Sequence, residues 1–218
     1  MFKHLAILSV TLCSLPALAS AADIVPAGYD WSGPYIGLHA GYLTSRSDIF
    51  DVGVLTESDV DTSGFVGGGL IGYNYQMDQL VVGLEGDFGW SNAVGHGNVQ
   101  AATPNTYNMM WDGHARVRLG IAPNNGPFLL YLAGGLAFAD FKLTDGETGL
   151  EKSATYVGTS IGAGGEYAFT ESLSGRVEYM YDDYSGHLFG AENWVVANDY
   201  SAKLKNASTI RAAISFKF

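Results

Sequence analysis

The stretch "WDGHARVRLGI" (residues 111–121) decides how the chain folds. Trp111, Gly113, Ala115, Val117, Leu119 and Ile121 alternate with Asp112, His114, Arg116, Arg118 and Gly120. Alternation at period two is the mark of a strand, because successive side chains point to opposite faces. Such a strand has two possible settings. In a soluble sheet the arginines meet solvent, whereas in a membrane barrel the apolar stripe meets lipid and the arginines are enclosed.

Seven further segments show the same rhythm, giving strands near 34–43, 64–76, 80–90, 109–121, 128–141, 154–168, 172–183 and 206–218. "LVVGLEGDFGW" (80–90) sets Leu80, Val82, Leu84, Gly86, Phe88 and Trp90 against Val81, Gly83, Glu85, Asp87 and Gly89. "SLSGRVEYMYDD" (172–183) sets Leu173, Val177, Tyr179 and Tyr181 against Ser174, Arg176, Glu178 and Asp182. In the last strand Ile210, Ala212, Ile214, Phe216 and Phe218 oppose Thr209, Arg211, Ala213, Ser215 and Lys217. Between strands, long connections (44–63, 91–108, 142–153, 184–205) alternate with short turns such as "MDQ" and "PNNGP". Short turns at one end and long loops at the other are the pattern of an outer-membrane barrel.

The composition chooses between the two settings. Of 218 residues only 15% are charged, 29 are glycine and 13% are aromatic. A solvent-facing sheet would carry many Lys and Glu. Here the polar faces hold Gly, Ala and Ser with a few opposite charges, which suits an eight-stranded lumen just wide enough for side chains. The apolar faces of the clearest strands carry no ionisable group, as hydrocarbon contact requires. Tyr42, Tyr73, Tyr75, Trp90, Trp111, Tyr179, Tyr181 and Phe218 gather near strand ends, where membrane-interface aromatic belts lie. The expected fold is therefore all-β, an eight-stranded antiparallel up-and-down transmembrane barrel spanning 32–218. Closure leaves no unpaired backbone edge in lipid.

Ahead of it, Lys3 and His4 precede the apolar "LAILSVTLCSLPALA" and the small-residue "ALASAA". Residues 1–21 read as a secretory signal peptide and 22–31 as a periplasmic tail. The one cysteine, Cys13, lies in the leader, so the mature chain has no disulfide, thiol nucleophile or cysteine metal site. A net charge of −11 argues against nucleic acid as a partner.

Glu85, Asp87, Asp112, Arg116, Arg118, Glu166, Arg176, Glu178 and Arg211 are expected to project inward with His114. Pairing strands about their centres sets Glu85 opposite Arg116, and Glu166 beside Arg176. A balanced network plugs a narrow lumen, and an unpaired buried ion is costly; a proton or ion path is the functional alternative. Of the histidines His39, His96, His114 and His187, none has a serine at close alternating spacing, so no catalytic site is expected. No His/Asp/Glu cluster has metal-ligand spacing, and no cofactor is implied.

"WSGPYIGLHAGY" (31–42), "GYNYQ" (72–76), "GLEGDFGWS" (83–91), "HARVRLGIAP" (114–123), "AGGLAF" (133–138), "GAGGEYAFTESLSGRVEYMYDDY" (162–184) and the terminal "FKF" resemble the small outer-membrane β-barrel proteins of alphaproteobacteria, the major surface antigens and haemin-binding relatives. The resemblance covers every strand but not the long loops. It implies a Gram-negative outer-membrane location and insertion by the outer-membrane assembly machinery, which reads a final strand ending in an aromatic, here Phe216 and Phe218. It also implies a role in envelope integrity and surface exposure. The expected partners are outer-membrane lipid and lipopolysaccharide, and the barrel is expected to be a monomer. The alternatives are haemin or host-ligand binding through the loops, with His96, Tyr107 and His187 as candidate ligands, and a small-solute porin.

Overall fold

A computed structural model of the chain describes residues 28–51, 56–97, 105–144, 149, 151–184, 194–196 and 200–218. The expected signal peptide and residues 22–27 lie outside these. The strands are β1 (Gly33–Asp51), β2 (Thr56–Met77), β3 (Leu80–Gly97), β4 (Asn105–Ile121), β5 (Phe128–Thr144), β6 (Glu151–Ala168), β7 (Leu173–Asp183), β8 (Trp194–Val196) and β9 (Tyr200–Lys217). Each of β1 to β7 pairs antiparallel with its neighbours in sequence, β9 follows β7, and β1 pairs with β9 to close the sheet. These eight strands form the barrel. Among the described residues, the three-residue β8 pairs only with the outer end of β9.

Facing follows the alternation. Leu84 is 65% exposed while its neighbour Glu85 is 4% exposed. Val117, Leu119, Ile121, Leu132, Ile161, Val177, Ile210 and Ile214 also lie on the outside, and Arg116 and Arg118 lie within. For these segments the apolar stripe is the outer surface, the arrangement hydrocarbon demands. Two aromatic groups bound the band. Tyr42, Phe65, Trp90 and Tyr181 stand toward the long connections; Tyr73, Tyr75, Phe128, Tyr167, Phe169, Phe216 and Phe218 stand toward the turns.

The long connections are shorter than the sequence suggests. β1 and β2 run on as a paired ribbon through Asp51 and Thr56, leaving only 52–55 between them. β3 and β4 likewise pair as far as Gly97 and Asn105. The reason is that pairing needs only backbone groups. Past the apolar band the outward faces turn polar, as at Arg46 and Asp61, so the hydropathy signal fades while the ladder continues. The turns at the other end are tight. Asp78, Asn124 and Asn125 have φ near +55°, a left-handed conformation that Asn and Asp tolerate better than most residues.

Candidate functional site: the barrel lumen

The lumen is built in three layers along the axis. At the turn end, the segment before β1 folds back over the mouth. Tyr29 and Trp31 are buried with Val81, Ala122, Leu129, Tyr131, Ala133 and Ala168. The Tyr29 N–H donates to Asn125 O at 2.7 Å, and its hydroxyl donates to Glu171 O at 3.2 Å. The Trp31 N–H donates to Gln76 Oε1 at 2.7 Å and its indole N–H to Gly126 O at 3.3 Å. Lys217 Nζ donates to the Asp30 carbonyl and sits 4.3 Å from the centre of the Tyr29 ring. Residues 28–31, read from the sequence as part of a tail, are thus a plug. Burial, reinforced by the carboxylates of Glu166, Asp30 and Glu171, pushes the Tyr29 phenol up to about 12. The Ser32 N–H, 2.8 Å from Asp30 Oδ1, holds the Asp30 carboxyl below the usual carboxylate range.

The middle layer is ionic. Glu85 lies opposite Arg116 across β3–β4, and Glu166 opposite Arg176 across β6–β7. Glu85 and Arg116 form an ion pair across that ladder, and further contacts cross the lumen, the shortest between Glu85 and Arg176. Glu85 takes Arg116 Nη2 at 2.8 Å on one oxygen and Arg176 Nη1 at 2.5 Å on the other. Glu178 binds Arg116 at 2.9 Å and Arg211 at 2.8 Å, while Glu166 binds Arg118 at 2.7 Å and accepts from Ser174 at 2.6 Å. Asp87 faces Arg211 at 3.1 Å and His114 Nδ1 at 2.7 Å; the other ring nitrogen of His114 lies 3.4 Å from Asp182. Asp112 is buried in the same layer but makes no ion pair among the described residues, and its Oδ1 lacks a hydrogen-bond partner. Its inward facing follows the strand alternation.

Two tyrosines hold this layer in place. The Tyr35 hydroxyl donates to Glu85 at 2.8 Å and accepts from Arg118 at 2.8 Å. Arg118 also lies 4.0 Å from the centre of the Tyr131 ring, a cation–π contact in a dry setting. Both rings depend on glycines directly across the ladder: Tyr35 opposes Gly72 and Tyr131 opposes Gly164. A Cβ on Gly72 would fall 2.3 Å from the Tyr35 hydroxyl, and one on Gly164 would fall 2.6 Å from that of Tyr131. Each glycine is the notch that lets an aromatic ring lie flat over the neighbouring strand. Sequence reading passed over Tyr35, Tyr131, Ser174 and the Asp182–His114 contact. The phase of Asp182 with Arg176 and Glu178 was a signal for the last of these.

At the end of the long connections the lumen becomes apolar again. Leu43, Val66, Tyr107, Met109, Phe141, Tyr156, Tyr184 and Leu204 pack together, with the Tyr107 and Phe141 rings 6.1 Å apart. Tyr107 is therefore a core residue. His96 is exposed on the neighbouring strand, so the wall separates it from Tyr107. The two do not converge as a ligand pair, and His187 lies outside the described residues. Met109 points inward although Trp111 does not, because a bulge at Met110 shifts the register and flips the alternation.

A closed eight-stranded barrel with a lipid-compatible exterior and a filled lumen has known counterparts. Residues 5–218 match the outer membrane protein beta-barrel domain. The chain belongs to the outer membrane protein beta-barrel family. It is 33% identical to a 25 kDa outer-membrane immunogenic protein of Brucella canis, over 99% of this chain and 98% of that one. It is 34% identical to a 22 kDa outer membrane protein of Rhizobium leguminosarum bv. viciae, over 92% and 83% of the respective chains. Among solved structures, the outer membrane protein OprG of Pseudomonas aeruginosa superposes with a TM-score of 0.52 at 14% identity, covering 88% of this chain and 99% of that one. That likeness concerns the fold alone. This family member is an outer-membrane protein, and its short turns, Asp78–Gln79 among them, mark the periplasmic end.

Proposed function

We propose that the protein is a structural, surface-exposed barrel that contributes to envelope integrity as a monomer and carries no catalytic centre. The observation that carries this reading is the filled lumen: two apolar layers enclose an ionic layer whose arginines are all engaged by carboxylates. A catalytic base needs an unengaged lone pair beside a nucleophile. His114 has carboxylates at both ring nitrogens instead. A diffusion pore needs a continuous aqueous path, and a side-chain-filled eight-stranded barrel encloses none. Haemin binding draws no support from His96 and Tyr107, which the wall separates. Phe216 and Phe218, exposed at the turn end with ring centres 5.3 Å apart, suit the proposed role of assembly signal.

A clean deletion tests the reading. The expected outcome is greater detergent sensitivity and vesicle release, both restored by the wild-type gene, with haemin uptake unchanged. Loss of haemin uptake with an intact permeability barrier would overturn it.

A further inference from the structure

One register row of the lumen joins His39 on β1, Gly68 on β2, Gly89 on β3 and Asp112 on β4. The two glycines leave a slot between the imidazole and the carboxylate. A Cβ on Gly89 would fall 2.8 Å from Asp112 Oδ1 and 3.2 Å from His39 Cε1, so the two side chains converge over that one residue. Both are buried, and among the described residues neither ring nitrogen of His39 nor Oδ1 of Asp112 has a hydrogen-bond partner. The charged groups around the slot are Asp87 of β3, His114 of β4, Arg176 and Asp182 of β7, and Arg211 of β9. Tyr184 faces it from the end of β7, and Tyr156 continues the row on β6. β2 and β5 meet it with Gly68 and Ala139, which carry no titratable group.

Charge decides what the slot holds. Among the described residues the lumen encloses the carboxylates of Glu85, Asp87, Asp112, Glu166, Glu178 and Asp182 and the guanidiniums of Arg116, Arg118, Arg176 and Arg211. His114 lies 2.7 Å and 3.4 Å from carboxylates at its two ring nitrogens, and it donates through both only as the imidazolium. Negative charge still exceeds positive by one, and Asp112 is the carboxylate without an ion pair. A buried ion left without compensation is costly. We propose that the slot is a proton-binding site, in which His39 and Asp112 together hold one exchangeable proton that brings the enclosed charge to zero. In the unfolded chain at neutral pH an aspartate is ionised and a histidine mostly neutral, so folding takes this proton up. A protein that binds more protons folded than unfolded loses stability as pH rises. The inference concerns charge inside the lumen and holds whether or not the barrel serves envelope integrity.

The test uses the full mature chain folded in neutral detergent micelles. Its melting temperature is followed from mildly acidic to mildly alkaline pH, below the range in which Tyr29 titrates. The wild type is expected to lose several degrees across that range. Asp112→Asn, which removes the charge that the proton balances, is expected to lose about half as much and to melt at or above the wild type at the alkaline end. The control Asp61→Asn, on the exposed rim, is expected to follow the wild type. In the wild type at neutral pH, magnetic resonance of labelled histidine and aspartate is expected to find one further protonated group besides His114, an imidazolium at His39 or a carboxyl proton at Asp112. That measurement decides the matter should Asp112→Asn fail to fold. An undiminished slope in Asp112→Asn, a neutral His39 beside an ionised Asp112, or a melting temperature that follows the choice of sodium or a bulky organic cation rather than pH each overturns the proposal.

Discussion

Arg116 and Arg46 are the same residue type in opposite surroundings, and the contrast shows where the barrel's electrostatic stability resides. Arg116 is enclosed and binds Glu85, Glu178 and, at 3.3 Å, Asp87. Arg46 pairs with Asp61 on the exposed rim. Removing one partner from a buried network leaves charge without compensation, at a cost of about 3–5 kcal/mol. An exposed pair contributes about 0–1 kcal/mol. Arg116→Ala is expected to lower the unfolding midpoint in micelles far more than Arg46→Ala; equal losses would refute the enclosed assignment. Tyr29 supplies a pH dependence of calculable sign. Its folded-state value of about 12 lies above the ordinary phenol value of about 10. Its contribution to plug docking is thus complete below the ordinary value and lost as pH rises through the folded one. Trp31 fluorescence should report release of the plug in that alkaline window, and Tyr29→Phe should remove the phenol's part of the transition. Identical profiles for the two proteins would show that the phenol is not what titrates.

Strand facing was legible in the sequence wherever one face meets lipid, because hydrocarbon tolerates no exception along Leu80–Trp90 or Ile210–Phe216. A midplane test follows. Leu84→Arg is expected to cost about 2–4 kcal/mol, and Leu84→Cys should react with a thiol reagent confined to the bilayer, whereas Ser160→Cys, buried on the lumen side, should not. Reversed labelling would invert the barrel. Past the apolar band the same reading failed in two ways. The strand extensions Thr44–Asp51 and Thr56–Ser63 fall where the sequence reads as a connection, since backbone pairing leaves no hydropathy trace where the strict alternation of apolar and polar residues stops. At Met110 and Lys205, bulges switch which side chains face inward, and nothing local in "NMMWD" or "KLKNA" announces the extra residue. The inward charges could be placed by phase, and Glu85 beside Arg116 by strand pairing, but the contacts that cross the lumen could not. Glu85 meets Arg176, and Arg118 meets Glu166, across the lumen. Such contacts depend on closure and shear, which no single strand encodes.

At the scale of the molecule, the three layers act in series. Water or ions would have to pass the Tyr29–Trp31 plug, then the guanidinium–carboxylate layer, then the packing around Tyr107 and Phe141. Resistances in series are governed by the largest, so opening one end alone should not create a path. Trp31→Ala removes the indole that caps the periplasmic mouth and its bond to Gly126, and should admit water only as far as Arg118 and Tyr131. In planar bilayers both the wild type and Trp31→Ala are therefore expected to be silent. Stable single-channel steps from the wild type would mean that the layers part in the membrane, and the sealed-lumen reading would fail with them. Steps from Trp31→Ala alone would show that the plug was the dominant barrier, and that the ionic layer is hydrated and open to passage.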